Sequence, residues 1–248
     1  MKNVAGIILI GLLALTLSPG CDNYRPAHVV LLGDRSGSVE KVRESIMGLA
    51  EISLSLPGIK KGSHLAIHTT GGVETAMEPN NIAFLSFPQI KKVMEGHNMK
   101  ARNEVFLKNV EASLVKVSSP SSRTPLYIAV RRATETLRGL GCESDPSSLA
   151  PPCHLFIISD CEENVEKLVK RAIRGSSEAK FPDEMIIDNS NIEVHFCGLS
   201  YTNDDSPARD SARITNLENT WKALFSHPEN VSFEPFCPQK EVTNNDVP

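Results

Sequence analysis

The chain has 248 residues, a formal net charge of −4, and hydrophobic and charged contents of 40% and 23%. That length suits one sizeable domain with its own core, and the composition is ordinary for a globular protein. The mild acidity excludes a general nucleic-acid binder, which carries a basic surplus, and the lack of a long single-sign charge run excludes an acidic or basic tail.

The first twenty residues are different in kind. Lys2 precedes an apolar run over residues 4–17 that is too short for a comfortable membrane span. This is the pattern of a secretory signal peptide, assigned to residues 1–20. The run ends in Leu17-Ser18-Pro19-Gly20-Cys21, and a small residue directly before a cysteine resembles the bacterial lipobox, after which the cysteine is lipidated. The lipobox places an aliphatic residue three before the cysteine, where this chain has Ser18. The expectation is a mature protein that begins at a lipidated Cys21 and is tethered by residues 21–26. It would be anchored in the bacterial cell envelope, facing the periplasm or exterior. Elsewhere no apolar stretch approaches the ~20 residues needed to cross a bilayer.

The next segment, residues 28–33, is a continuous apolar run bounded by polar residues. It reads as a strand buried on both faces of a parallel sheet. Residues 39–54 follow, with Val42, Ile46, Leu49, Ile52 and Leu56 at three- and four-residue steps, an amphipathic helix closed by Pro57-Gly58. A second strand is expected over residues 65–69, with residues 72–77 as its hairpin partner beyond Gly71-Gly72. Residues 90–117 carry helical patterning in two pieces, broken near Gly96-His97-Asn98. Residues 124–137 form another helix, with Pro125 in its first turn, where proline is tolerated.

Residues 155–159 read as a third buried strand, 163–173 as a helix, 192–197 as a strand, 206–225 as a helix and 231–236 as a final strand. Strands alternating with helices predict an α/β fold, a mostly parallel central sheet with one antiparallel edge strand and helices on both faces. Residues 139–152 look like a polar surface insertion flanked by Cys142 and Cys153, and residues 238–248 like a polar tail.

In open α/β sheets, ligands bind beyond the carboxyl ends of the strands. The first strand is followed there by Asp34-Arg35-Ser36-Gly37-Ser38, the third by Asp160, and the helix over residues 124–137 opens on Thr124. In an extended loop Asp34, Ser36 and Ser38 occupy every second position, so their oxygens point one way. A carboxylate with hydroxyls is a hard, all-oxygen set suited to Mg²⁺, with Mn²⁺ or Ca²⁺ as alternatives, rather than to zinc or copper.

The order is specific: apolar strand, Asp34-x-Ser36-x-Ser38, then Thr124-Pro125-Leu126-Tyr127 opening a helix, then apolar strand and Ser159-Asp160. It resembles the von Willebrand factor A family over residues 27–237. The resemblance implies a Rossmann-like fold whose metal-ion-dependent adhesion site uses Asp34, Ser36 and Ser38 as the first loop, Thr124 as the second and Asp160 as the third. It implies a protein ligand whose acidic residue completes the coordination. Membrane contact is expected through the N-terminal lipid, and no enzymatic activity is expected. Arg35 is placed on the ligand face, as a ligand contact or a solvated charge. Because Asp34 lies on a loop, its replacement by alanine is expected to abolish metal binding while sparing the fold. One position departs from the family, which commonly has glycine after the third-loop aspartate where this chain has Cys161.

Two other readings compete. One is a structural subunit of an envelope complex whose metal site is silent or merely stabilising. The other is a metal-dependent phosphatase-like hydrolase using Asp34, but that mechanism wants a second acid two residues on, where this chain has Ser36.

The remaining signals have plain readings. Glu162 and Glu163 suit the first turn of a helix, His68 and His195 are satisfied core or edge histidines, and Trp221 belongs to the core. The cysteines fit an oxidising compartment. Cys142 and Cys153, bracketing one polar loop, are the expected disulfide; of Cys161, Cys197 and Cys237, all after strands at one sheet edge, two can meet, and the pair is left open.

Overall fold

A computed structural model describes residues 25–35, 38–70, 80–88, 96–117, 125–142, 151–163, 166–175, 180–198, 207–234 and 237. The expected signal peptide, the lipidated Cys21 and the C-terminal tail lie outside these residues, as do Ser36, Thr124 and the hairpin strand over residues 72–77.

Among the described residues, six strands form one sheet in the order β3-β2-β1-β4-β5-β6. They are β1 (Val29–Gly33), β2 (His64–Thr69), β3 (Asn80–Ser86), β4 (Cys153–Ile158), β5 (Ile192–Cys197) and β6 (Val231–Glu234). Every neighbouring pair is parallel except β2 and β3, so β3 is an antiparallel edge strand. The edge strand therefore lies further along the chain than residues 72–77.

Five helices alternate with the strands among the described residues: α1 (Val39–Ser53), α2 (Gly96–Leu114), α3 (Leu126–Gly139), α4 (Lys167–Arg174) and α5 (Pro207–Lys222). The break expected near Gly96-His97-Asn98 is the start of α2, which then runs without interruption to Leu114. The helix expected from residue 163 begins instead at Lys167, with Glu166 as its N-cap. Among the described residues no helix is long and apolar enough to cross a membrane.

The continuous hydrophobicity of β1 has a direct cause. Its five residues are all buried because helices cover both faces and neighbouring strands cover both edges. Alternate side chains feed two cores. Val30 and Leu32 join Leu126, Val130, Leu137, Val169, Leu217 and Trp221 beneath α3, α4 and α5, while Val29 and Leu31 join Ile46, Leu49, Phe106 and Val110 beneath α1 and α2.

Among the described residues, two disulfides fix the periphery. Cys142–Cys153, at a sequence separation of 11, ties the chain just past α3 to the first residue of β4. Closing a loop of that size removes roughly 3 kcal/mol of unfolded-state entropy. Cys197 pairs with Cys237, tying the end of β5 to the chain beyond β6. Cys161 is the free cysteine among the described residues and is buried.

Candidate metal centre

The fold places three chain segments together at the carboxyl edge of adjacent strands β2, β1 and β4. β1 ends in Gly33, where a Cβ would lie 2.6 Å from Val42 Cγ1, so glycine is what lets α1 rest against the strand end. Asp34 follows at once. Its N–H donates to the Ile158 carbonyl at 2.8 Å, extending the ladder to β4 by one residue.

The Asp34 carboxylate is held from both sides. Thr70 Oγ1, just past β2, donates to Oδ1 at 2.8 Å, and Ser159 Oγ, just past β4, donates to Oδ2 at 2.8 Å. Asp34 is 3% exposed. The two hydroxyl bonds fix the orientation of the carboxylate. Ser38 stands at the mouth of α1 as its N-cap, with its exposed Oγ accepting from the Lys41 N–H at 3.3 Å.

Asp160 stands on the neighbouring strand end, with Oδ1 accepting from the Glu162 N–H at 3.0 Å. Burial raises its carboxyl above the ordinary aspartate range; the Glu162 N–H and Arg213 oppose that rise, while the charges of Asp34 and Glu162 add to it. Two carboxylates that repel each other at one sheet edge form a place where a cation is favourable. The donor set fits a hard divalent ion: every candidate ligand offers oxygen, with no thiolate or imidazole among them.

Arg35, expected on the ligand face or in solvent, is instead 6% exposed. Its N–H donates to Thr70 Oγ1 at 3.1 Å and its Nε to the Thr70 carbonyl at 3.0 Å, so it laces the Asp34 loop to the end of β2. Burial lowers its pKa from the usual arginine value.

Cys161 occupies a backbone position with φ of 63°. That is left-handed geometry, which glycine adopts without strain. Here the turn is secured by hydrogen bonds: the Cys161 N–H donates to Ser159 Oγ at 2.9 Å, and Trp221 Nε1 donates to the Cys161 carbonyl at 3.0 Å. The thiol is fully buried and its pKa is pushed up, first by burial and then by Asp160.

Glu163 does not sit in the first turn of its own helix. It is 1% exposed; Oε2 accepts from the Tyr127 N–H at 2.6 Å and Oε1 from the Glu166 N–H at 3.0 Å. Pro125 gives α3 no side-chain cap, so Glu163 satisfies an orphan donor of α3 from 36 positions away in sequence. The loop that carries Asp160 is thereby fastened to the start of α3. Sequence reasoning missed Thr70, Ser159 and Glu163 as the groups that position the site. The available signal was that Thr70 and Ser159 each follow an apolar strand directly, as Asp34 does.

The architecture is a Rossmann-like α/β one, a mostly parallel six-stranded sheet with one antiparallel edge strand. No protein-family model matches the chain, and no curated protein matches it in sequence. Solved structures do match. An aerotolerance-related membrane protein from Bacteroides fragilis is 13% identical, over 84% of this chain and 90% of that one, with a TM-score of 0.37. The manganese-loaded TRAP protein of Plasmodium vivax is 16% identical, over 69% and 57%, with a TM-score of 0.36. A von Willebrand factor type A protein from Catenulispora acidiphila is 15% identical, over 81% and 43%, with a TM-score of 0.33.

Proposed function

We propose that this chain is a von Willebrand factor A-type binding module, exported and lipid-anchored at Cys21 in a bacterial envelope. Its ligand is an acidic group of a partner protein, captured through a divalent cation held by Asp34, Ser36, Ser38, Thr124 and Asp160. The observation that carries this reading is the fixed Asp34 carboxylate beside Asp160 on adjoining parallel strand ends. Such an edge is where open α/β sheets bind ligands.

The charge logic follows from the residues. Asp34 as a direct ligand, with Asp160 behind water, leaves a divalent ion about one charge short of neutral, and the serine and threonine hydroxyls add oxygens without cancelling it. The bound ion supplies a Lewis-acidic positive centre that an incoming carboxylate completes. Mg²⁺ is the expected ion, with Mn²⁺ and Ca²⁺ as alternatives. Arg35, bonded to Thr70, serves this site by holding the loop rather than by reaching the ligand.

Calorimetric titration of the purified chain with Mg²⁺ and with Mn²⁺ tests the reading. The expected result is one ion per chain in each case, the second displacing the first. The absence of binding to either would remove the cation bridge.

A further inference from the structure

We infer that the chain carries a second metal site, unrelated to the oxygen-lined edge, in which His154 Nδ1, Glu193 Oε2 and His195 Nε2 hold a zinc-class divalent ion. The three residues lie on β4 and β5, with His154 paired to Glu193 and Phe156 to His195 in the parallel register. Alternation puts Glu193 and His195 on the same face of β5. His154 lies six residues before Asp160 along one strand, about 20 Å away at ~3.3 Å per residue.

The three ligand atoms surround one point at a spacing that suits an ion. Nδ1 of His154 is 3.3 Å from Glu193 Oε2 and 3.5 Å from His195 Nε2, and His195 Nε2 is 3.6 Å from the same Oε2. All three separations exceed the usual hydrogen-bond range of about 2.7–3.2 Å. A triangle with sides of 3.3–3.6 Å has its centre about 2.0 Å from each corner. Zinc sits about 2.0–2.1 Å from imidazole nitrogen and about 2.0–2.2 Å from carboxylate oxygen. An ion slightly above that plane meets all three, and a fourth position is left for water on the solvent side, where Glu193 is 43% exposed.

The surroundings hold the donors in place. His195 Nδ1 lies 2.9 Å from Ser232 Oγ on β6. With Nδ1 donating there, Nε2 presents its lone pair to the cluster, the arrangement by which a partner behind the ring fixes a ligating histidine. The His195 ring also stacks on Phe156 at 4.7 Å. Nε2 of His154 is buried without a hydrogen-bond partner, so the polar interactions of that ring are made on its Nδ1 side, at the cluster. Burial depresses the His154 pKa to about 4 and, with His154 beside it, lowers that of His195. Two imidazoles and a carboxylate suit Zn²⁺ and its neighbours Cu²⁺ and Ni²⁺, not the hard ions expected at Asp34.

Equilibrium dialysis of the purified chain against Zn²⁺ in the presence of excess Mg²⁺ tests the assignment. The expected result is one Zn²⁺ per chain, retained in Asp34→Asn and weakened at least about tenfold in both His195→Ala and Glu193→Gln. Co²⁺ in place of Zn²⁺ should give visible absorption bands that His195→Ala removes. Glu193→Gln is near-isosteric at a half-exposed position, so it reports on ligation even where His195→Ala disturbs the strand. The proposal is overturned if the wild-type chain takes up no Zn²⁺, if either His195→Ala or Glu193→Gln leaves uptake unchanged, or if Asp34→Asn alone abolishes it.

Discussion

Replacing Trp221 with alanine is expected to destabilise the fold by about 3–5 kcal/mol, the range for truncating a buried aromatic side chain. Trp221 is fully buried and packs against Phe196 at 5.1 Å between ring centroids. It belongs to the core where β4 and β5 meet α3, α4 and α5, so the cavity it leaves is lined by elements that cannot collapse independently. Its indole N–H also holds the Cys161 carbonyl, at the turn that follows Asp160. The variant should therefore lose cation affinity as well as stability. Trp221→Phe isolates the second effect, since it keeps most of the volume and removes one hydrogen bond, worth about 1 kcal/mol. Urea denaturation checks both, read as a shift of midpoint at constant slope. A Trp221→Ala midpoint close to that of the wild type would contradict the packing account.

The second large effect is expected at Asp34. Alanine there should reduce cation affinity by about a hundredfold or more, because it removes the one carboxylate proposed to ligate directly. The sequence places Asp34 on a loop, from which an intact fold is expected. The structure changes that expectation, since the side chain is 3% exposed and accepts from both Thr70 and Ser159. Losing both acceptors costs about 1–3 kcal/mol for the buried groups left unpaired. Asp34→Asn is the cleaner probe. It keeps an acceptor oxygen for one hydroxyl and offers a donor to the other, which can rotate to accept. Stability should stay within about 1 kcal/mol of the wild type, while cation binding is lost with the charge. Paired urea melts and Mg²⁺ calorimetry on the two variants separate the structural from the coordinating role. Undiminished Mg²⁺ binding in both variants would place the ion elsewhere.

Much of this molecule was legible in the sequence because its central strands are buried on both faces. The apolar runs of β1 and β4 carry no alternation, and their polar ends put Asp34 and Asp160 at one edge without reference to any other part of the chain. The edge strand β3 was not legible. β3 carries a bulge at Ile82, between the pairs Ile67–Ala83 and His68–Asn81, so that Ile82, 7% exposed, joins the same core as Ala83, Leu85 and Phe87, while Phe84, 50% exposed, stacks on His64. The two-residue period that marks a strand is broken by that bulge.

Contacts distant in sequence were also hidden. Glu163 was assigned to the nearest helix start because its acidity suits any such start; its partner Tyr127 is brought there only by the fold. The pairing of Cys197 with Cys237 rather than with Cys161 has the same origin, since Cys161 turns inward at a left-handed position. His68 departs from the expectation of a satisfied core histidine, as both its ring nitrogens are buried without hydrogen-bond partners. Burial lowers its pKa, so the ring is carried neutral. His195, expected to be satisfied, does have a partner in Ser232, but its other nitrogen faces His154 and Glu193.

The central claim is a claim of place, and anomalous diffraction from crystals of the chain grown with Mn²⁺ measures place directly. The account predicts a manganese peak at the carboxyl edge of β1 and β4, within about 2.3 Å of oxygens from Asp34, Ser36 and Ser38. Its open side should be filled by water or by an acidic residue of a neighbouring molecule. A map with no peak at that edge, while Mn²⁺ is bound elsewhere or not at all, would contradict it.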